Sequence, residues 1–349
     1  MIQTGLPTGP VVDARGVAFA LSDPGRALRR VRLVQEIGLP ARAVEFLRVN
    51  GRWRLRIPRG SADRLEYLLE LHRDDGSVEV GLDPGNPRRV GGVFGDKSVV
   101  EFPGYVPPAW LSAAPPPGAL APFSVAGEDL GMPVTGSVWT APGLDPGDLA
   151  PLLVVHDGPE YDRLAELTRF LAVCVADGTV PPLRALLLQP GERNRWYAAA
   201  PAYSRALLEE VLPSVPASRR IGMGTSLGAL AMLHAYRQQP AGFAGLFLQS
   251  GSFFTETLDP QERGFPWFAE ITRFVAEVHD AGMTGQPVPV GMTCGSAEEN
   301  LACNRLMATR LAEQGHKVAF HLVPDAHNFT SWRDGFYPHL PALLRTALS

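Results

Sequence analysis

Arg220-Ile221-Gly222-Met223-Gly224-Thr225-Ser226-Leu227-Gly228-Ala229-Leu230-Ala231-Met232-Leu233 is the stretch that decides the fold. It begins like a buried strand, passes through a Gly-x-Ser-x-Gly turn and continues as an apolar helix. A serine in a tight strand-to-helix turn projects its hydroxyl above a sheet, and flanking glycines allow the backbone to pack closely enough. The sequence therefore predicts Ser226 as a nucleophile.

The same alternation of strand and helix patterns extends from residue 123 to the C-terminus. The predicted strands are 123–127, 134–140, 151–156, 183–189, 219–224, 244–249, 288–294 and 317–323. The predicted helices are 161–176, 201–212, 227–238, 267–279, 299–314 and 332–347. This order is typical of a mostly parallel sheet covered by helices, so we expect an α/β-hydrolase domain with eight strands.

The first third of the chain has a different pattern. Short, partly alternating runs at 17–21, 31–34, 53–57 and 66–71 are separated by turn residues, which predicts a small all-β sandwich. A Pro- and Ala-rich stretch follows. We therefore predict three segments: a β-sandwich domain at 1–112, a linker at 113–122 and a catalytic domain at 123–349.

A serine hydroxyl becomes a good nucleophile only when a histidine accepts its proton. In an α/β-hydrolase that histidine follows the last strand, and His327 lies in the polar segment Pro324-Asp325-Ala326-His327-Asn328 after the strand predicted at 317–323. His327 is therefore the predicted base.

The third member of such a site is a carboxylate after the penultimate strand, where it orients the imidazole. The strand at 288–294 runs into Gly295-Ser296-Ala297-Glu298-Glu299. We favour Glu298 as the acid and keep Glu299 as its rival, because either residue also suits the first turn of the following helix.

Backbone N–H groups must stabilise the oxyanion that forms during acyl transfer. One donor is expected from Leu227, directly after the nucleophile, and the other from the segment His156-Asp157-Gly158-Pro159-Glu160-Tyr161. Proline has no N–H, so Pro159 leaves Gly158, Glu160 or a near neighbour as the second donor. We favour Gly158.

Composition excludes several other classes of protein. The 349-residue chain has a formal net charge of −4, which disfavours nucleic acid as a partner. Residues 1–16 lack the pattern of a secretory signal, and Pro, Gly or charge interrupts every apolar run, so no membrane association is expected. Three cysteines lack the spacing of a zinc site, and neither a metal nor a cofactor is predicted. We expect a cytoplasmic protein, and a homo-oligomer is compatible with the sequence.

Taken together, the segments resemble the enterochelin-esterase-like branch of the esterase D family. The resemblance is carried by Asp157-Gly158, by Arg193-Asn194-Arg195-Trp196-Tyr197, by the Ser226 motif, by Glu298 after Gly295 and by His327 before Trp332-Arg333. The front domain resembles the immunoglobulin-like domain of those esterases through Tyr67, Asp83-Pro84 and Phe102-Pro103, among other residues.

The resemblance implies a serine esterase that acts on a small-molecule ester, such as a ferric-siderophore ester of the enterochelin type. Because a triscatecholate is anionic, Arg193, Arg195 and Arg333 are candidate substrate contacts, and Tyr161 is a further one. Pro159 and the absence of an acidic residue from 193–197 depart from the siderophore enzymes. The alternatives are a carbohydrate or feruloyl esterase, an acyltransferase, or a binding protein that retains the fold without turnover.

Overall fold

The computed structural model describes residues 9–145, 147–282 and 286–349. The first eight residues, which belong to the N-terminal stretch without a signal pattern, lie outside this range. Contacts divide the chain into two compact units. The front unit comprises Met1–Val106 with Gly295–Glu299 and Pro324–Ser331, and the large unit comprises the remaining segments, Pro107–Cys294, Asn300–Val323 and Trp332–Ser349.

The front unit is built from antiparallel strands. In the described part of the chain they are β1 (Val11–Asp13), β2 (Gly16–Ser22), β3 (Leu28–Gln35), β4 (Leu47–Val49), β5 (Arg52–Pro58), β6 (Arg64–Arg73), β7 (Val78–Gly81), β8 (Arg89–Val90) and β9 (Lys97–Glu101). One sheet has the order β1-β2-β5-β4, and the other has the order β3-β6-β9-β8 with β7 paired to β6. The predicted all-β region is thereby confirmed.

Alternating apolar side chains from both sheets form the core of the front unit. Val17 and Phe19 of β2 are buried together with Tyr67 and Leu69 of β6. The Tyr67 hydroxyl donates to Asp83 Oδ2 at 2.6 Å, so this buried polar group is satisfied within the loop after β7.

The large unit contains one sheet with eight strands in the described residues. They are β10 (Ala119–Val125), β11 (Val134–Thr140), β12 (Leu152–Val155), β13 (Arg184–Leu188), β14 (Arg220–Thr225), β15 (Gly245–Gln249), β16 (Pro289–Gly295) and β17 (Lys317–Val323). Their order is β10-β11-β13-β12-β14-β15-β16-β17. β10 and β11 are antiparallel, whereas β13, β12, β14, β15 and β16 pair in parallel.

The described α-helices lie between and after the strands of the large sheet, as the sequence predicts. They are α1 (Gly158–Ala165), α2 (Leu167–Ala176), α3 (Arg193–Tyr197), α4 (Pro201–Arg205), α5 (Leu212–Ser214), α6 (Leu227–Gln238), α7 (Phe268–Asp280), α8 (Leu301–Glu313), α9 (Phe329–Asp334) and α10 (His339–Leu348). The sheet and its helices confirm the predicted α/β architecture.

Several boundaries differ from the prediction for physical reasons. The predicted helix 161–176 is two helices, because Glu166 between α1 and α2 has a left-handed φ of 53°. Residues 119–122, predicted as linker, form the start of β10. Pro122 is tolerated there because β10 is an edge strand. The first segment of the front unit ends at Val106, whereas the predicted β-sandwich domain ends at residue 112.

Candidate active site

Ser226 occupies a strained turn between β14 and α6. Its φ of 54° and ψ of −125° are rare for a residue with a side chain and are typical of functional positions. A Cβ at Gly224 would lie 2.4 Å from the Gly228 carbonyl, and one at Gly228 would lie 3.0 Å from the Cβ of His156. Gly224 is therefore required by close packing, and Gly228 lies where an added side chain would be tight against His156.

The turn is fixed by hydrogen bonds to the next strand and the segment after it. The Ser226 N–H donates to the Gln249 carbonyl at 3.0 Å, and the Ser252 N–H donates to the Ser226 carbonyl at 3.1 Å. The Oγ atoms of Ser226 and Ser252 are 3.2 Å apart. Sequence reasoning missed Ser252, and its only signal was a small polar residue soon after the strand that follows the nucleophile.

Leu227 is the first residue of α6, and Ser226 is its N-cap. The first N–H groups of an α-helix have no acceptor within the helix and therefore point toward whatever lies at its N-terminus. This position gives Leu227 the geometry expected of an oxyanion donor.

The loop after β12 is also held in an uncommon conformation. Asp157 has a left-handed φ of 52°, and Gly158 begins α1 directly after it. A Cβ on Gly158 would lie 2.3 Å from the Cα of Leu187, so only glycine fits. Pro159 is in the first turn of α1, where a missing N–H removes no helical hydrogen bond. The N–H of Gly158 therefore stays at the start of the helix despite the proline.

A bidentate ion pair between Arg193 and Asp157 supports this loop. Arg193 Nε and Nη2 each donate to one carboxylate oxygen of Asp157 at 2.8 Å. Only 4 % of the Asp157 side chain is exposed. Two of the three guanidinium nitrogens of Arg193 are bonded to Asp157, and contact of Arg193 with substrate stays a prediction. The physical role that its position favours is fixing the loop.

His156 is completely buried beside both turns. Its Nδ1 is 2.8 Å from the Gly228 carbonyl, which can only accept, so Nδ1 carries the proton. Burial lowers the pKa of His156 to about 4. His156 is thus a neutral group that ties β12 to the start of α6.

The predicted acid and base contact each other in the front unit. His327 Nδ1 is 3.0 Å from Glu298 Oε2, and the other carboxylate oxygen of Glu298 accepts the Gly295 N–H at 2.9 Å. The Glu298 side chain is completely buried, whereas Glu299 is exposed. Of the two rival carboxylates, Glu298 is the one that can orient the imidazole.

The remaining candidate substrate contacts have partners of their own. Tyr161 is fully buried, and its hydroxyl donates to Gln249 Oε1 at 2.9 Å, so its position favours a packing role rather than the predicted contact with substrate. Arg195 pairs with Glu192, and Arg333 with Asp334, at 2.8 Å in each case. Contact of these two arginines with substrate stays a prediction.

Two further properties concern the described residues only. No helix in them is long and apolar enough to cross a membrane. Nor do these residues contain a group of three or more His, Cys, Asp or Glu side chains arranged to hold a metal ion.

Several solved structures share this fold, two of them along nearly the whole chain. An enterobactin esterase from Shigella flexneri superposes with a TM-score of 0.77 and 18 % identity over 99 % of both chains. A ferric enterobactin esterase from Salmonella typhimurium gives a TM-score of 0.76 and 20 % identity over 97 % of both chains. A ferulic acid esterase gives 0.54 and 16 %, covering 66 % of this chain and 99 % of its own. The chain has the fold of these esterases. No protein-family model and no curated protein sequence matches it.

Proposed function

We propose that the protein is a serine esterase that hydrolyses carboxylic esters through an acyl-enzyme at Ser226. The observation that carries this proposal is the backbone of Ser226, a non-glycine residue at φ 54° between a parallel strand and a helix. Such strain is retained where a nucleophile must be presented, and a packing turn would have no need of it.

The contact between Glu298 and His327 supplies the rest of the chemistry. Because Nδ1 faces the carboxylate at 3.0 Å, the neutral imidazole carries its lone pair on Nε2. Nε2 accepts the Ser226 proton as Oγ attacks the ester carbonyl, and then returns it to the leaving alcohol. Water attacks the acyl-enzyme with the same histidine as base, which regenerates Ser226 and releases the acid. The N–H groups of Leu227 and Gly158 stabilise both oxyanions.

For the substrate we favour a ferric-siderophore ester of the enterochelin type. The support is coverage, since the two enterobactin esterases match this chain from end to end, including the front unit, whereas the ferulic acid esterase covers 66 % of it. In this proposal the chain is a cytoplasmic member of the enterochelin-esterase-like branch of the esterase D family, and its front unit is immunoglobulin-like. A feruloyl-type esterase is the second candidate, because the ferulic acid esterase matches this chain over 99 % of its own length.

The deciding experiment is labelling with a fluorophosphonate probe together with hydrolysis of p-nitrophenyl butyrate. We expect the parent to label and turn over, Ser226→Ala to lose both, and Ser252→Ala to remain labelled although its Oγ is 3.2 Å from that of Ser226. A folded parent that neither labels nor hydrolyses would refute the esterase and favour a binding protein. Labelling that is lost only in Ser252→Ala would identify Ser252, rather than Ser226, as the nucleophile.

A second assay separates the substrate classes. Ferric enterobactin and methyl ferulate are compared by kcat/KM, and an added alcohol is tested as an acceptor in competition with water. Preference for the siderophore ester supports the favoured substrate, preference for ferulate supports the second candidate, and transfer to the alcohol identifies an acyltransferase.

A further inference from the structure

Two short segments from late in the chain belong to the front unit. They are Gly295–Glu299, which carries the acid Glu298, and Pro324–Ser331, which carries the base His327. Backbone hydrogen bonds attach them there: the Asp63 N–H donates to the Pro324 carbonyl at 2.6 Å. The surroundings of the acid and base are therefore set by front-unit residues as well as by their own segments.

Arg64, the first residue of β6, makes the central contact. Its Nη1 donates to Asp325 Oδ2 at 2.9 Å, and the two side chains are only 3 % and 4 % exposed. Its Nη2 donates to Glu66 Oε1 at 3.2 Å, and its guanidinium lies 5.5 Å from the centre of the Tyr105 ring. A buried guanidinium with partners on three sides has one orientation available to it.

Asp325 also accepts hydrogen bonds from both chain neighbours of His327. Its Oδ1 accepts the Ala326 N–H at 2.8 Å and the side-chain amide of Asn328 at 3.2 Å. Asn328 Oδ1 in turn accepts the Ser331 N–H at 2.8 Å. His327 is thus the one residue between two positions that Asp325 holds.

The same network reaches the segment of the acid. The Asp325 carbonyl accepts the Ala297 N–H at 3.1 Å, directly before Glu298. Ser61 and Ser296 exchange two hydrogen bonds, each from a hydroxyl to the other residue's carbonyl, at 2.9 and 2.7 Å. Front-unit residues before β6 therefore hold the acid segment, while Arg64 holds the base segment.

We propose that Arg64 is a positioning residue for the reaction: through Asp325 it sets the orientation of His327 toward Glu298, although no described hydrogen bond or ion pair joins it to either residue of the pair. This inference rests on the proposed esterase function. Removing Arg64 leaves Asp325 as a buried carboxylate without its cation, and the segment must rearrange to hydrate it. The His327–Glu298 hydrogen bond then loses its fixed geometry, and proton transfer slows while substrate binding does not change.

The test measures kcat and KM for p-nitrophenyl butyrate in Arg64→Ala, Arg64→Lys and Asp325→Asn. We expect kcat to fall 10- to 100-fold in Arg64→Ala and Asp325→Asn, about the loss that follows a small misplacement of a catalytic group. KM should stay within twofold of the parent value. The charge-conserving Arg64→Lys should recover part of the lost kcat, and it provides the measurement if Arg64→Ala does not fold.

Tyr67→Phe is the matched control. The substitution removes a buried hydrogen bond from the same strand, since the Tyr67 hydroxyl donates to Asp83. No described hydrogen bond of the Tyr67 hydroxyl reaches the two late segments. Its kcat should stay within twofold of the parent value. An equal loss of kcat in Tyr67→Phe and Arg64→Ala would overturn the proposal, because general destabilisation of the front unit would then explain both.

A readout independent of turnover is the NMR resonance of the His327 Nδ1–H proton, assigned by its disappearance in His327→Gln. We expect solvent exchange of this proton to be at least tenfold faster in Arg64→Ala than in the parent. If the parent hydrolyses no ester but its exchange depends on Arg64, the esterase proposal fails and the positioning role stands. If kcat and the exchange rate of the His327 proton equal the parent values in both Arg64→Lys and Asp325→Asn, the positioning role is overturned while the esterase proposal stands.

Discussion

The turn that presents Ser226 and the segments that carry Glu298 and His327 are held by different means. Around Ser226 the constraints are local: a left-handed backbone, glycines that pack against each other, and hydrogen bonds to the neighbouring strand. Around His327 they are long-range, since Arg64 and Asp325 are 261 residues apart in the chain. The first arrangement leaves a motif in the sequence, and the second leaves two unremarkable charged residues.

The two regions also differ in how their buried charges are paired. Asp157 and Arg193 form a balanced pair, whereas Arg64 serves two carboxylates, Glu66 and Asp325. Burial raises the pKa of Glu66 to about 7, even though Arg64 and Lys97 oppose the shift. The local site is therefore electrically satisfied, and the long-range site contains a carboxyl group that titrates near neutrality.

The largest expected effect comes from breaking the acid–base contact. Glu298→Gln keeps the shape of the side chain but removes the charge that stabilises the imidazolium and selects its tautomer. We expect kcat for p-nitrophenyl butyrate to fall about 10³- to 10⁴-fold with little change in KM. Exposed Glu299 is the matched control, and Glu299→Gln should stay within twofold of the parent. The opposite ranking would make Glu299 the acid.

Breaking the ion pair between Arg193 and Asp157 should lower kcat by a smaller factor. Arg193→Ala leaves Asp157 buried without its cation, so the loop that carries the Gly158 N–H relaxes. We expect a loss of about 10- to 100-fold in kcat for neutral and anionic esters alike, below or near the loss of one oxyanion donor. Arg195→Ala, which removes an exposed pair with Glu192, should change kcat less than twofold. A rise in KM confined to anionic esters in Arg193→Ala would support its predicted contact with substrate.

A third effect concerns stability rather than turnover, and it tests the contrast between the paired Asp157 carboxylate and the Glu66 carboxylate, which shares Arg64 with Asp325. With a pKa of about 7 in the folded protein and an ordinary value of 4.5, Glu66 keeps a proton that the unfolded chain releases. Folding stability therefore falls as pH rises from 4.5 through 7. We expect Glu66→Gln to gain up to about 3 kcal/mol relative to the parent across this window, measured by urea unfolding at pH 4.5 and 8.

The control for this measurement is Glu79→Gln, which alters an exposed pair with Arg73 on the same sheet. Its stability relative to the parent should not change over that pH range. A constant difference between Glu66→Gln and the parent at both pH values would contradict the raised pKa.

Much of the large unit could be predicted because its signals are local. The eight strands fall within a few residues of their predicted positions, since each is a short apolar run bounded by turn residues. The sequence cannot separate Glu298 from Glu299, because both suit a helix start and only their burial in the fold distinguishes them. Neither the hydrogen bond of Tyr161 to Gln249 nor the ion pair of Arg193 with Asp157 could be predicted, because the sequence around a tyrosine or an arginine gives no sign of its partner in the fold.

The supporting residues of the site could not be predicted. Ser252 lies beside Ser226 because β15 pairs with β14, and Arg64 lies beside Asp325 because the late segments pack with the front unit. These proximities arise from tertiary packing between positions far apart in the chain. Nothing in the local pattern of either residue distinguishes it from an ordinary surface or core position.

The division of the chain also has a consequence for biosynthesis. The front unit consists mostly of residues before Pro107 but includes Pro324–Ser331, so it is complete only after Ser331 has left the ribosome. At a translation rate of roughly 5–20 residues per second, Asp325 is synthesised on the order of tens of seconds after Arg64. During that interval Arg64 lacks one of its two carboxylate partners, so we expect β6 to reach its final packing only after Asp325 has been synthesised.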